Sequence, residues 1–155
     1  MEARKNEAEE SARDIAAELL TLEAVLDGRW AKLLDDDYSD LEHDEQRAVD
    51  RAVELCEEMA EQAGEEMGDY SPSIVHYLNR YGLDYLLTGK NRGEGWELTG
   101  GKMLRSFGGP NVWITWGLDD DDVVVDAYWS GDHDARHAYA PTVVEQLTEL
   151  AKVDA

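Results

Sequence analysis

Apolar residues recur at intervals of three and four through the first part of the chain. Ile15, Leu19, Leu22, Leu26, Trp30 and Leu33 form one such stripe, which predicts a helix from about Glu7 to Leu34. Gly28 is the point where that helix would bend or break. The polar run "DDDYSD" then interrupts the period, and Ser39 with Glu42 fits a capping box that opens a second helix. Val49, Ala52, Val53, Cys56, Met59, Ala60 and Ala63 carry its stripe to Gly64. The two helices are expected to pair as an antiparallel hairpin. Their alanine-rich stripes suit packing on each other and on a further element.

Past residue 70 the period changes. "SPSIVHYLNRYG" reads as a short helix with Ser71 as cap, Pro72 in the first turn and Gly82 at the end. "LDYLLT" reads as a strand. "KNRGEGWELTGG" reads as a loop with at most a short extended piece at Trp96 to Leu98. "KMLRSF", "NVWITW" and "DVVVDAYW" read as three further strands joined by "GGP" and "GLDDD" turns, and "DARHAYA" fits a fifth. Pro141 opens a last helix with Val143, Val144, Leu147, Leu150 and Ala151 on one stripe. Strands separated by such short turns pair antiparallel. The fold class is therefore α+β: an N-terminal acidic helical hairpin and a short helix, then a four- to five-stranded antiparallel meander sheet closed by a C-terminal helix. Residues 1–70 and 71–155 are the two parts, expected to share one compact domain.

Alternation assigns faces. Val112, Ile114 and Trp116 share one face of their strand, and Val123, Val125, Ala127 and Trp129 share one face of the next. These are the candidate core. Asn111, Trp113, Asp126 and Tyr128 fall on the opposite face, where they form either an aromatic and polar binding patch or, if helices cover that side too, plain core.

Charge changes the picture. Thirty-six acids against fourteen bases give a formal net charge of -22. The imbalance is uneven: residues 1–70 hold 23 acids and 7 bases, whereas residues 71–155 hold 13 and 7. Such a surface repels nucleic acid and anionic membranes. It suits a basic partner or a solvent rich in salt, and the five lysines against nine arginines are consistent with the second. On the second helix, Glu54, Glu57, Glu58, Glu61 and Glu65 follow three-four spacing as one ridge, with Glu66 near its end. That ridge is the candidate binding surface.

Catalytic and metal chemistry find little footing. Cys56, the single cysteine, lies on an apolar helical stripe, the setting of an inert buried thiol. It allows neither an internal disulfide nor a multi-cysteine zinc site. Ser106 and Ser130 have no nucleophile-elbow context. His133 and His137, four apart on a strand, lie about 13 Å apart, too far to share one metal. Asp119 to Asp122 lack the spacing of a calcium loop and read as a charged hairpin tip. No catalytic residue, metal site or cofactor is expected. The charged N-terminus is not a secretory signal and no apolar run spans a bilayer, so a cytoplasmic protein with no membrane partner is expected.

The turn "SFGGPNVWITW" joins two strands, with Gly108 and Gly109 giving backbone freedom and Pro110 ending the pairing. "GGPNVW" followed by "YWSGD" resembles a family of small, mostly uncharacterised proteins on phages, plasmids and other mobile elements of actinobacteria, related gut bacteria and haloarchaea. The resemblance covers about Tyr81 to Leu150 and leaves out the acidic hairpin. It implies a setting, the accessory cargo of mobile DNA, rather than a reaction. Together with the acidic hairpin it points to a non-enzymatic protein that blocks a basic nucleic-acid-binding partner, as an anti-CRISPR or anti-restriction inhibitor does. The alternatives are an accessory protein of a halophile, whose acidity is salt adaptation, and an enzyme with a pocket near the GGPNVW turn.

Overall fold

The computed structural model describes residues 6–28, 43–66, 70–93 and 95–154. These contain the helices α1 (Glu7–Leu26), α2 (His43–Ala63), α3 (Ile74–Tyr81) and α4 (Pro141–Asp154). They also contain the strands β1 (Asp84–Asn91), β2 (Trp96–Ser106), β3 (Asn111–Gly117), β4 (Asp122–Trp129) and β5 (Asp132–Tyr139). The strands form one sheet in the order β1-β2-β3-β4-β5 with every neighbouring pair antiparallel, the meander that the short turns require.

The helices lie on one face of this sheet. Met103, Val112, Ile114, Trp116, Val123, Val125, Ala127 and Ala138 point into them and are buried. Trp129, assigned to the same side by alternation, is 38% exposed because it lies at the end of β4 beyond the helical cover. α1 packs on β4 and β5, α4 packs under β2 to β4, and α2 packs on α1 and α3. One hydrophobic cluster runs from Ala8 through Met59 to Ala151.

Two helix boundaries differ from the sequence reading. α1 stops at Leu26 rather than Leu34: Asp27 donates its N–H to the carbonyl of Glu23, and Gly28 takes a positive φ of 85°. A left-handed glycine just past the last turn ends a helix rather than bending it. The expected continuation through Trp30 and Leu33, and the Ser39–Glu42 capping box, lie outside the described residues. α3 is capped by Ser73, whose side chain accepts from the His76 N–H, and not by Ser71. Pro72 therefore precedes the helix, while Gly82 closes it as expected.

The largest departure is the stretch taken as a loop. Residues 84–106 form a long hairpin, with β1 and β2 paired from Asp84–Leu104 out to Asn91–Trp96. Its glycines are there for close approach. A Cβ on Gly89 would lie 2.1 Å from the Trp96 ring, one on Gly100 2.1 Å from the Trp116 carbonyl, and one on Gly101 2.7 Å from the Trp116 ring. These positions admit no side chain, so the same residues that look like loop punctuation permit sheet packing.

Carboxylates from α1 fasten distant parts of the chain to one another. Glu23, only 8% exposed, accepts the N–H groups of Thr142 (3.1 Å) and Val143 (2.9 Å) in the first turn of α4. Those are donors that no helical carbonyl reaches, and the helix dipole favours an anion there. Glu18 holds Arg105 by two bonds of 3.0 and 2.9 Å and accepts the Tyr77 hydroxyl at 2.7 Å. The register shift between Leu104 and Ser106 accompanies the turn of Arg105 toward the helices, as a bulge allows.

Two substitutions test this account. In the turn "FGGPN" only Gly108 has a positive φ, 92°, while Gly109 does not and has open space at its Cβ position. Gly108→Ala should cost about 1 kcal/mol or more in urea unfolding, and Gly109→Ala close to nothing. Glu23→Ala, which strands two buried donors, should cost about 1–3 kcal/mol by the same measurement.

Candidate functional site

The structure divides the carboxylates into two sets. Glu18 and Glu23 are consumed by internal hydrogen bonds. Glu58 belongs with them: it is half-buried and accepts the Tyr81 hydroxyl, so it leaves the free ridge to which sequence spacing assigned it. Glu54, Glu57, Glu61, Glu65 and Glu66 are exposed, and their carboxylates make no ion pair or hydrogen bond among the described residues. Glu54, Glu57 and Glu61 lie on the outer side of α2, and Glu65 and Glu66 follow its end at Ala63. The opposite side of α2 buries Val49, Leu55, Cys56 and Met59.

Between α1, α2 and α3 opens a cleft of about 440 Å³, lined by Asp14, Glu18, Thr21, Arg51, Glu54, Glu58 and Tyr81. At its wall the Arg105 guanidinium lies 4.6 Å from the centroid of the Tyr81 ring. Burial and the neighbouring Glu58 push the Tyr81 hydroxyl well above its ordinary pKa, so it remains a donor. Desolvation works against the Arg105 charge, but the hydrogen bonds and charge of Glu18, with Tyr77 beside them, together exceed it and keep the guanidinium cationic. Sequence reading missed this cleft. Its signal was present as two pairs at four-residue spacing, Asp14 with Glu18 and Glu54 with Glu58, but nothing in the sequence said that the pairs face each other. A second acidic hollow, of about 380 Å³, lies between the β3–β4 turn and α4, lined by Asp119, Asp120, Asp121, Glu145, Glu149 and Lys152.

The aromatic patch stands on the uncovered face of the sheet. Asn111 pairs across the strands with Tyr128, and Trp113 with Asp126, so the four residues placed together by alternation are cross-strand neighbours. His133 joins them. Its ring stacks on Tyr128 at 4.4 Å with an interplanar angle of 7°, and its Nε2 lies 3.0 Å from the Asp126 carboxylate. Lys102 Nζ lies 4.6 Å from the centroid of the Trp113 ring. Trp113 is half-buried and Tyr128 is 45% exposed, so no described helix covers them.

His137 faces Asp122 at 3.9 Å on the same strand face, and the two histidines point to different carboxylates rather than to one centre. Among the described residues no group of three or more histidine, cysteine, aspartate or glutamate side chains could hold a metal ion. Nor is any described helix long and apolar enough to cross a membrane.

Cys56 is fully buried, and desolvation pushes its thiol from about 9 up to about 12. A raised pKa means that the neutral thiol is the form the fold favours. Its contribution is complete below the ordinary thiol range and is lost as pH rises through the interval from 9 to 12. Cys56→Ala should therefore lose less stability than the wild type between those limits, read from urea midpoints at a series of alkaline pH values. In the folded wild type, alkylation by a thiol reagent should be slow at neutral pH and become fast only in denaturant.

Comparison with known proteins finds no matching family model, no similar curated protein and no similar solved structure.

Proposed function

We propose that the protein is a non-enzymatic acidic binding protein of the cytoplasm. It occupies the nucleic-acid-binding surface of a basic partner, as an anti-defence inhibitor does. The observation that carries this reading is the set of free carboxylates on the outer side of α2. Glu54, Glu57 and Glu61 place one unpaired charge per about 5 Å of helix axis. One strand of B-form DNA carries a phosphate per about 3.4 Å of axis. Asp14, across the cleft on α1, adds one further carboxylate beside them. A rigid pair of helices bearing fixed anions meets a basic groove without the ordering cost that a flexible acidic tail would incur. The cleft beside Glu54 offers depth for the stem of a partner arginine.

Salt adaptation accounts for unpaired surface acids equally well, and it makes the opposite demand on solvent. A chain that needs salt to screen its charge loses its fold when salt is removed. A mimic stays folded there and binds its basic target most tightly.

The test begins with capture on the immobilised protein from a nuclease-treated lysate at low salt. The recovered partner should be a nucleic-acid-binding protein that duplex DNA displaces. Replacing Glu54, Glu57, Glu61, Glu65 and Glu66 with Gln should leave stability unchanged or raised, because like charges at helical spacing repel. The affinity should fall roughly tenfold or more, at about 0.2–1 kcal/mol per exposed pair, and its salt dependence should flatten. Equal affinities and salt slopes for the two proteins would remove α2 from the interface. Unfolding at low salt would assign the charge to solvation.

A further inference from the structure

The uncovered face of the sheet lies on the opposite side of the molecule from α2, and it differs from the rest of the surface in chemistry. Leu86, Leu104, Trp113, Val124 and Tyr128 cross it from β1 to β4. Leu86 and Tyr128 are 41% and 45% exposed. Both signs of charge sit among them: Lys102 against the Trp113 ring, and Asp126 with His133 beside Tyr128. We propose that this face is the site at which a second copy of the chain docks, sheet on sheet, to form a two-fold dimer.

Three features select a second copy. The first is the layout of charge. A protein of net charge -22 can approach itself only where its own field is weakest. All four described helices lie on the far side of the sheet, so stacking the open faces puts the two acidic layers on the outside of the dimer, as far apart as the fold permits.

The second is self-complementarity. A two-fold interface presents the same patch to itself and so must carry donors and acceptors, or cations and anions, in balance. The open face sets Lys102, His133 and His137 against Asp84, Asp122 and Asp126, whereas on α2 the acids far outnumber Arg47 and Arg51. A basic partner is drawn to α2 instead.

The third is size. Five strands about 4.8 Å apart and about seven residues long at 3.3 Å each make a face of roughly 550 Å² per copy, or about 1,100 Å² in total, enough for a specific interface. Two sheets stack about 10 Å apart with interdigitated side chains, and the half-buried Trp113 and the Tyr128–His133 stack are the rigid, amphipathic surfaces that such a contact uses. This inference does not rest on the basic-partner reading, because it concerns the other face and is measured without any partner.

Sedimentation equilibrium of the full chain over a range of salt and protein concentrations tests it. The chain should form a dimer whose dissociation constant falls at least about tenfold as added salt shortens the screening length from about 10 Å to about 3 Å. Tyr128→Glu should raise that constant at least about tenfold, as for a central aromatic at an interface. Leu86→Glu, at the β1 edge of the same face, provides a second variant should the first impair folding, which far-UV circular dichroism reports. Leu20→Glu, an exposed apolar site on α1, should leave the equilibrium unchanged. A monomer at every salt and concentration overturns the proposal. So does a dimer indifferent to both open-face variants, or one dissolved by Leu20→Glu, since its contact would lie elsewhere.

Discussion

The pleat of β3 and β4 sends every side chain to one of two faces, and only one of those faces has helices to bury it. Val112, Ile114 and Trp116, with Val123, Val125 and Ala127 beside them, form the floor on which α1 and α4 rest. Everything else follows from that one-sided cover. The intervening residues are left with solvent on their side, so Trp113 and Tyr128 are surface residues although their neighbours in sequence are core. The outer helix α2, lifted off the sheet by α1 and α3, has one side that no other described element covers, and there the acids collect.

The inward-facing charges show how an acidic chain keeps its core together. At 20–22% side-chain exposure, the Glu18–Arg105 pair has lost much of its hydration, and its fork geometry with the added Tyr77 hydroxyl restores the hydrogen bonds that water would have made. Glu23 needs no counter-ion, since the first turn of α4 presents two N–H donors and the positive end of a helix dipole. Both residues are glutamates in a segment dense with glutamates. What separates them from Glu54 or Glu57 is which side of the helix they occupy.

That distinction sets the limit of what the sequence discloses. Periodicity located the helices and placed the core residues of β3 and β4, because period 3.6 and period 2 are direct consequences of backbone geometry. The aromatic patch was legible for the same reason: the grouping of Asn111, Trp113, Asp126 and Tyr128 follows from alternation and a short turn. Residues 90–101 were opaque because glycine is ambiguous, although the strands on either side of them were legible. Gly89, Gly100 and Gly101 resemble loop residues until the rings and carbonyl packed against them are seen. His133 was considered only to set a metal site aside, and its neighbours, Tyr128 and Asp126, depend on the β4–β5 register. The cleft beside Tyr81 was opaque because it depends on how α1 and α2 cross. The loss of Glu58 from the free ridge has the same origin, since its partner Tyr81 lies 23 residues away.

The attachment of α1 to the far end of the chain also governs the order of assembly. The meander from β1 to β5 joins neighbours in sequence and can form as each hairpin is completed. α1 cannot take part at that stage, because its floor is β4 and β5, and its Glu23 is held by Thr142 and Val143, 119 and 120 residues later. During synthesis α2 can meet the first helix early, but the side of α1 that rests on the sheet stays uncovered until β4, β5 and α4 have emerged. The acids that crowd Glu7 to Asp14 repel like chains from that uncovered side. The same charges that shape the finished surface thus act earlier, as a guard against association before the chain is complete.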